Sequence, residues 1–147
     1  MELCLDATVF IAAMTPGETD HTACFSILQR VQEERIPLFE PAAVLDEVVE
    51  AIHQKSRADE ISMSDGKHLV ELLFRLPLML QWQEGLMTLA MKTADRLSLP
   101  RISDCLYLAV AIDQKIPLIT LDEEFRKKGK KIYEKIFSPG EYLRLAS

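Results

Sequence analysis

Short apolar runs alternate with longer stretches whose apolar residues recur every three or four positions, and that alternation predicts the elements. Residues 2–6 form a short strand, and the apolar run "ATVFIAAM" leads into a loop at Thr15-Pro16-Gly17. "TDHTACFSILQRVQEER" predicts a helix that Thr19 or Asp20 can cap, with Ala23, Ile27, Leu28 and Val31 as its apolar stripe. "IPLFEP" predicts a second strand, closed by Pro41. "AAVLDEVVEAIHQKS" predicts a helix with Val44, Leu45, Val48, Val49 and Ile52 on one arc. "ADEISMSDGKHLVELLFRL" reads as helical, weakened by Asp65-Gly66. Then come a strand "PLMLQW", an amphipathic helix "GLMTLAMKTADRL", a helix "RISDCLYLAVAIDQK" and a strand "PLITLD". The charged segment "EEFRKKGKK", a last strand "IYEKIF" and a turn of helix complete the chain.

Apolar strands alternating with helices imply a mostly parallel sheet covered on both faces. The expected fold is a three-layer α/β/α sandwich with a small sheet, one domain spanning residues 1–147. That length suffices to bury a real core. With 48% apolar and 27% charged residues the composition is that of a globular protein. Net charge is −6, so a polyanionic ligand must meet a local basic patch or a bound cation. Cys4, Cys24 and Cys105 have no C-x-x-C spacing and read as buried free thiols of a reducing compartment. Asp6 interrupts the only early apolar run, so neither a signal peptide nor a membrane span is expected, and the cytoplasm is the expected location.

The parallel sheet gives the acids their interest. Asp6 and Asp122 each end a dry strand, and parallel strands deliver their ends to one edge, where open α/β sheets place ligands. The plainer reading makes each a turn or cap residue. Asp104 falls in the first turn of an apolar helix, where free amides and the macrodipole favour an acid. In the helix after Pro41, Glu47 lies at one border of the apolar arc and Asp46 just beyond the other, and the wheel does not choose between them.

"LDATVFIAA", "PAAVLDEVVEAI", "RISDCLYLAVA" and "LITLDEEF", in that order, resemble the PIN-domain family, in particular its VapC-like toxin ribonucleases. The likeness runs from about residue 3 to residue 125, and is generic over residues 58–98. It implies RNA cleavage by a carboxylate cluster binding Mg²⁺ or Mn²⁺, with Asp6, Glu47, Asp104 and Asp122 as its acids and Asp6, Asp104 and Asp122 as metal ligands. Thr8 and Thr120 match the family's small hydroxyl residues, while Cys105 replaces the usual alanine. It also implies a small antitoxin partner and a homodimer. Met79, Leu80, Trp82, Met87 and Met91 offer interface material, although each reads first as core.

The chemistry is consistent with that likeness. Packed carboxylates repel, so an ionised cluster needs a cation, and oxygen donors without well-placed His or Cys select Mg²⁺ or Mn²⁺. His21, His53 and His68 do not sit at ligand spacing. Arg101 and the run Arg126, Lys127, Lys128, Lys130 and Lys131 are candidates to hold RNA phosphates, against a plainer reading as a solvated charged flank. Thr8 stands where a haloacid-dehalogenase phosphatase needs a second Asp, and no G-x-G cluster supports a P-loop or Rossmann site. Two other functions fit the same residues: a PIN-fold binding or assembly module with little or no cleavage, and a DNA-cutting or RNA-processing nuclease without an antitoxin.

Overall fold

Three of the strands open directly after an X-Pro pair, and the sheet is built on that repeat. The computed structural model describes all 147 residues. In order, the elements are β1 (Cys4–Leu5), α1 (Ala7–Ala13), α2 (His21–Glu34), β2 (Leu38–Pro41), α3 (Ala43–Arg57) and α4 (Met63–Arg75). They continue with β3 (Leu78–Gln81), α5 (Glu84–Arg96), α6 (Ser103–Gln114), β4 (Leu118–Ile119), α7 (Glu123–Gly129), β5 (Ile136–Phe137) and α8 (Pro139–Ala146). Pro37, Pro77 and Pro117 precede β2, β3 and β4. A proline at a strand's start lacks only its N–H and keeps its carbonyl for a neighbour. Those carbonyls accept from Leu3 N at 3.1 Å, Leu38 N at 2.9 Å and Cys4 N at 3.0 Å respectively. The helices feeding β2 and β4 also stop alike: Arg35 and Lys115 take left-handed conformations, φ 53° and 58°.

Every strand pairing is parallel. β1-β4-β5 form a three-stranded sheet and β2-β3 a two-stranded one, joined by a single bridge between Leu3 and Leu38. The spatial order is therefore β3-β2-β1-β4-β5. Adjacent residues on β1 and β4 are all fully buried. Successive strand side chains point to opposite faces, so both faces are covered, as the alternating pattern predicts. Residues Cys105–Ala111 of α6 are buried on every side, which places this helix in the core against β1, β2 and β4. Cys4, Cys24 and Cys105 are buried free thiols. Gly129 lets α7 lie close on β5, since a Cβ there would stand 2.5 Å from Ile136 Cδ1. No helix is long and apolar enough to cross a membrane.

Several elements differ from the sequence reading. "ATVFIAA" is helix α1, because Asp6 caps it. The charged segment after Asp122 is helix α7 for the same reason. α4 begins only at Met63, where the Ser62 hydroxyl accepts Asp65 N at 3.0 Å. The last strand shrinks to two residues. Met79, Trp82, Met87 and Met91 are not core: they are 48%, 67%, 43% and 63% exposed, and Leu80 is half-buried.

Candidate active site

Asp6 and Asp122 are both helix caps, as the plainer reading has it, and they are also neighbours at one edge of the sheet. Asp6 Oδ1 accepts the Thr8 N–H at 3.3 Å and caps α1. Asp122 Oδ1 accepts the Phe125 N–H at 2.9 Å and caps α7. Register places the ends of β1 and β4 side by side, with Leu5 opposite Ile119. Thr120, fully buried, links them: its hydroxyl donates to Asp6 Oδ2 at 2.7 Å and accepts the Asp122 N–H at 3.1 Å. Asp6 is only 5% exposed, whereas Asp122 is open to solvent. Thr8 contributes its backbone, with its side chain exposed.

The helices add two more acids. The Tyr107 hydroxyl, on the buried helix α6, donates to Glu47 Oε1 at 3.0 Å. Of the two acids the helical wheel left open, Glu47 is half-buried and Asp46 exposed. Asp104 stands half-buried in the first turn of α6. Tyr107 and its partner role were missed from sequence because a tyrosine in an apolar helix signals only core.

Proximity shows in protonation. Burial pushes the Asp6 carboxyl up, opposed by the Thr120 hydrogen bond and aided by the charge of Asp122. Burial likewise raises Glu47, with Asp6 and Asp104 adding to it and the Tyr107 bond opposing it. Asp104 is pushed up to about 6 by burial and then by Asp6 and Asp122, with Arg101 opposing. A folded-state value above the unfolded one favours folding when the group is protonated. The Asp104 contribution is thus complete below the ordinary value of 3.8 and lost as pH rises through about 6. Discounted for partial solvent screening, it is about 1–2 kcal/mol. In metal-free buffer the Tm should therefore fall by roughly 3–6 °C from pH 4 to pH 7.5. Thermal scans of Asp104→Asn should show that fall flattened, and an unchanged slope would remove Asp104 from the cluster.

No three His, Cys, Asp or Glu side chains converge to hold one ion between them. Mg²⁺ keeps several waters and uses only one or two carboxylates, so the donor set fits a largely hydrated hard cation and not a closed cage. Zinc, which wants His or Cys, does not fit.

The basic residues divide. Arg126 is tied to Glu141 at 2.8 Å and Glu123 at 3.5 Å, Lys128 to Glu124 at 3.8 Å, and Lys130 to Glu141 at 3.9 Å. Arg101, Lys127 and Lys131 are exposed and enter no ion pair. A cavity of about 490 Å³, lined mainly by apolar residues of α1, α2 and α4, includes none of the four acids. One buried acid near the site escaped the sequence reading: Glu40, on β2. Its alternation with Phe39 and Pro41 looks like any strand, and nothing local marks it.

The fold and site define a class: a parallel α/β protein with a carboxylate cluster at the carboxyl edge of its sheet. The chain belongs to the PIN domain family, which it matches over residues 3–131. Among solved structures it is similar to PAE2754 from Pyrobaculum aerophilum, at 19% identity and TM-score 0.71, covering 99% of this chain and 90% of that one. It is also similar to VapBC2 from Rickettsia felis, bound to a DNA fragment from its promoter, at 13% identity and TM-score 0.66, covering 94% and 98%. A third is Mycobacterium tuberculosis VapC20, a sarcin–ricin loop cleaving toxin, at 14% identity and TM-score 0.60, covering 87% and 95%. At these identities the likeness is one of fold. No curated protein matches the chain in sequence.

Proposed function

We propose that this protein is an Mg²⁺- or Mn²⁺-dependent endoribonuclease, the toxin of a toxin–antitoxin pair. The observation that carries the reading is the gathering of Asp6, Glu47, Asp104 and Asp122, in which the charges of Asp6, Asp104 and Asp122 raise the proton affinity of neighbouring carboxyls. A structural cap gains nothing from such repulsion, whereas a cation site needs it. Asp6, Asp104 and Asp122 would face the largely hydrated ion, one or two of them directly and the rest through its waters. When bound, the ion supplies charge neutralisation at a phosphate and a lowered pKa for a water.

The chain's own groups do the rest. Thr120 keeps Asp6 in one orientation and ties it to the start of α7. Tyr107 holds Glu47 by Oε1, which leaves Oε2 to take a proton from a water at the cleft. Arg101 and Lys127, free of ion pairs, hold RNA phosphates, with Arg126 and Lys128 as the paired flank behind them. The VapBC and VapC structures support an antitoxin partner and an RNA target, and the exposed Met79, Trp82, Met87 and Met91 supply a homodimer face. Cytoplasmic RNA is the substrate class.

One observation favours a second reading, a PIN fold that binds without cutting: no three carboxylates converge on one point. Incubating the purified chain with structured and unstructured RNA separates the two. Internal cuts that appear with Mn²⁺ and vanish with EDTA are expected. A folded protein that leaves every RNA intact in Mn²⁺ would overturn the nuclease.

A further inference from the structure

The sheet is broken beside the carboxylate cluster, and a side chain fills the break. β1 and β2 make one bridge, in which Leu3 N donates to Pro37 O at 3.1 Å and Phe39 N to Leu3 O at 2.9 Å. Parallel register puts the next bridge at Leu5 opposite Glu40, with Leu5 N donating to Phe39 O and residue 41 donating to Leu5 O. Residue 41 is a proline and has no N–H, so half of that bridge cannot form. Leu5 N donates instead to Glu40 Oε2, at 2.7 Å. Glu40 is fully buried, with Oε1 3.9 Å from Cys4 Sγ. A buried N–H left without a partner is costly, and here only a long side chain reaches it.

The two segments so joined carry two of the acids. Leu5 ends β1, and Asp6 is the next residue. Glu40 is the penultimate residue of β2, and α3 with Glu47 begins two residues after Pro41. We infer that Glu40 is a positioning residue: by holding the Leu5 amide it keeps β1 and β2 apart at their carboxyl ends, and so sets where Asp6 stands relative to Glu47. The inference rests on the nuclease reading and requires an acceptor at that reach, not a charge.

Reach and charge can be crossed experimentally. Glu40→Gln keeps the length and an amide oxygen, while Glu40→Asp keeps the carboxylate but falls one methylene short. Glu40→Gln should cleave RNA at close to the wild-type rate and keep the Mn²⁺-induced rise in Tm. Glu40→Asp, folded by circular dichroism, should cleave roughly 100-fold more slowly, as expected for a small misplacement of a reacting group. It should also need about tenfold more Mn²⁺ for half its rise in Tm, as follows when a group that orients a metal-binding carboxylate is disturbed. A wild-type-like Glu40→Asp, or a Glu40→Gln as impaired as Glu40→Asp, overturns the inference.

A third readout needs neither metal nor RNA. The Leu5 and Asp6 amides should exchange with solvent as slowly in Glu40→Gln as in wild type, and faster in Glu40→Asp. If Glu40→Asp does not fold, Glu40→Gln decides: slow exchange at both amides upholds the inference and fast exchange overturns it. If the wild type cuts no RNA, the nuclease reading fails, while the Mn²⁺ response and amide exchange still judge Glu40.

Discussion

Asp6→Asn abolishes RNA cleavage in a protein that folds as well as the wild type: that is the largest effect expected here. The asparagine oxygen can keep the Thr8 N–H bond that caps α1. Its amide group then faces Thr120 Oγ1, and a hydroxyl oxygen has two lone pairs, enough to accept both this group and the Asp122 N–H. Shape survives; the buried Thr120 hydroxyl loses Asp6 as its acceptor, while one charge leaves a repulsive cluster, so the two effects oppose and the Tm should change little. What goes is the negative charge that would hold the ion. Losing one preorganised electrostatic element of a site costs about 10²–10³ in rate, and losing an ion altogether costs more. Cleavage at saturating Mn²⁺, measured beside circular dichroism and a melting curve, checks this. Full activity in a well-folded Asp6→Asn protein would sink the assignment of the site.

Mn²⁺ should stabilise the wild type by roughly 1–3 kcal/mol at saturating ion, because an ion that binds only the folded state shifts unfolding by mass action. For a chain of this size that is a rise in Tm of roughly 3–10 °C. The rise should be larger at pH 7.5 than at pH 5.5, since Asp104, pushed up to about 6, holds a proton at the lower pH and must release it to bind a cation. Scattered surface acids do not replace an ion's hydration shell and would give neither effect. Asp104→Asn is the discriminating variant and should lose most of the rise. Equal stabilisation of wild type and Asp104→Asn would leave Asp6 and Asp122 as helix caps and nothing more.

Where the sequence was misread, the cause is physical. "ATVFIAA" mixes β-branched and aromatic residues with alanines, and over seven positions neither period wins. The Asp6 side chain decides for the helix by capping it, and that depends on where β1 ends in the sheet. Met79, Trp82, Met87 and Met91 look like core because apolar side chains usually are. Met79, however, stands on β3, which pairs only with β2 at the edge of the sheet, and Trp82 follows that strand. Met87 and Met91 lie on α5 outside its buried stripe of Leu86, Ala90 and Ala94.

By itself the chain's local pattern determined the α/β class, the parallel sheet and the delivery of Asp6 and Asp122 to one edge. Those follow from alternating apolar strands and helices, and from the proline that opens each of β2, β3 and β4. Only the tertiary structure revealed Glu47 half-buried and bonded to a Tyr107 hydroxyl sixty residues away in the chain, with Asp46 exposed. Only the tertiary structure showed Thr120 bridging Asp6 to Asp122, and Glu40 holding the Leu5 amide. Periodicity records which face of an element is dry. It carries no record of which distant groups share that dryness, and burial, repulsion and hydrogen bonding in the cluster arise from those groups.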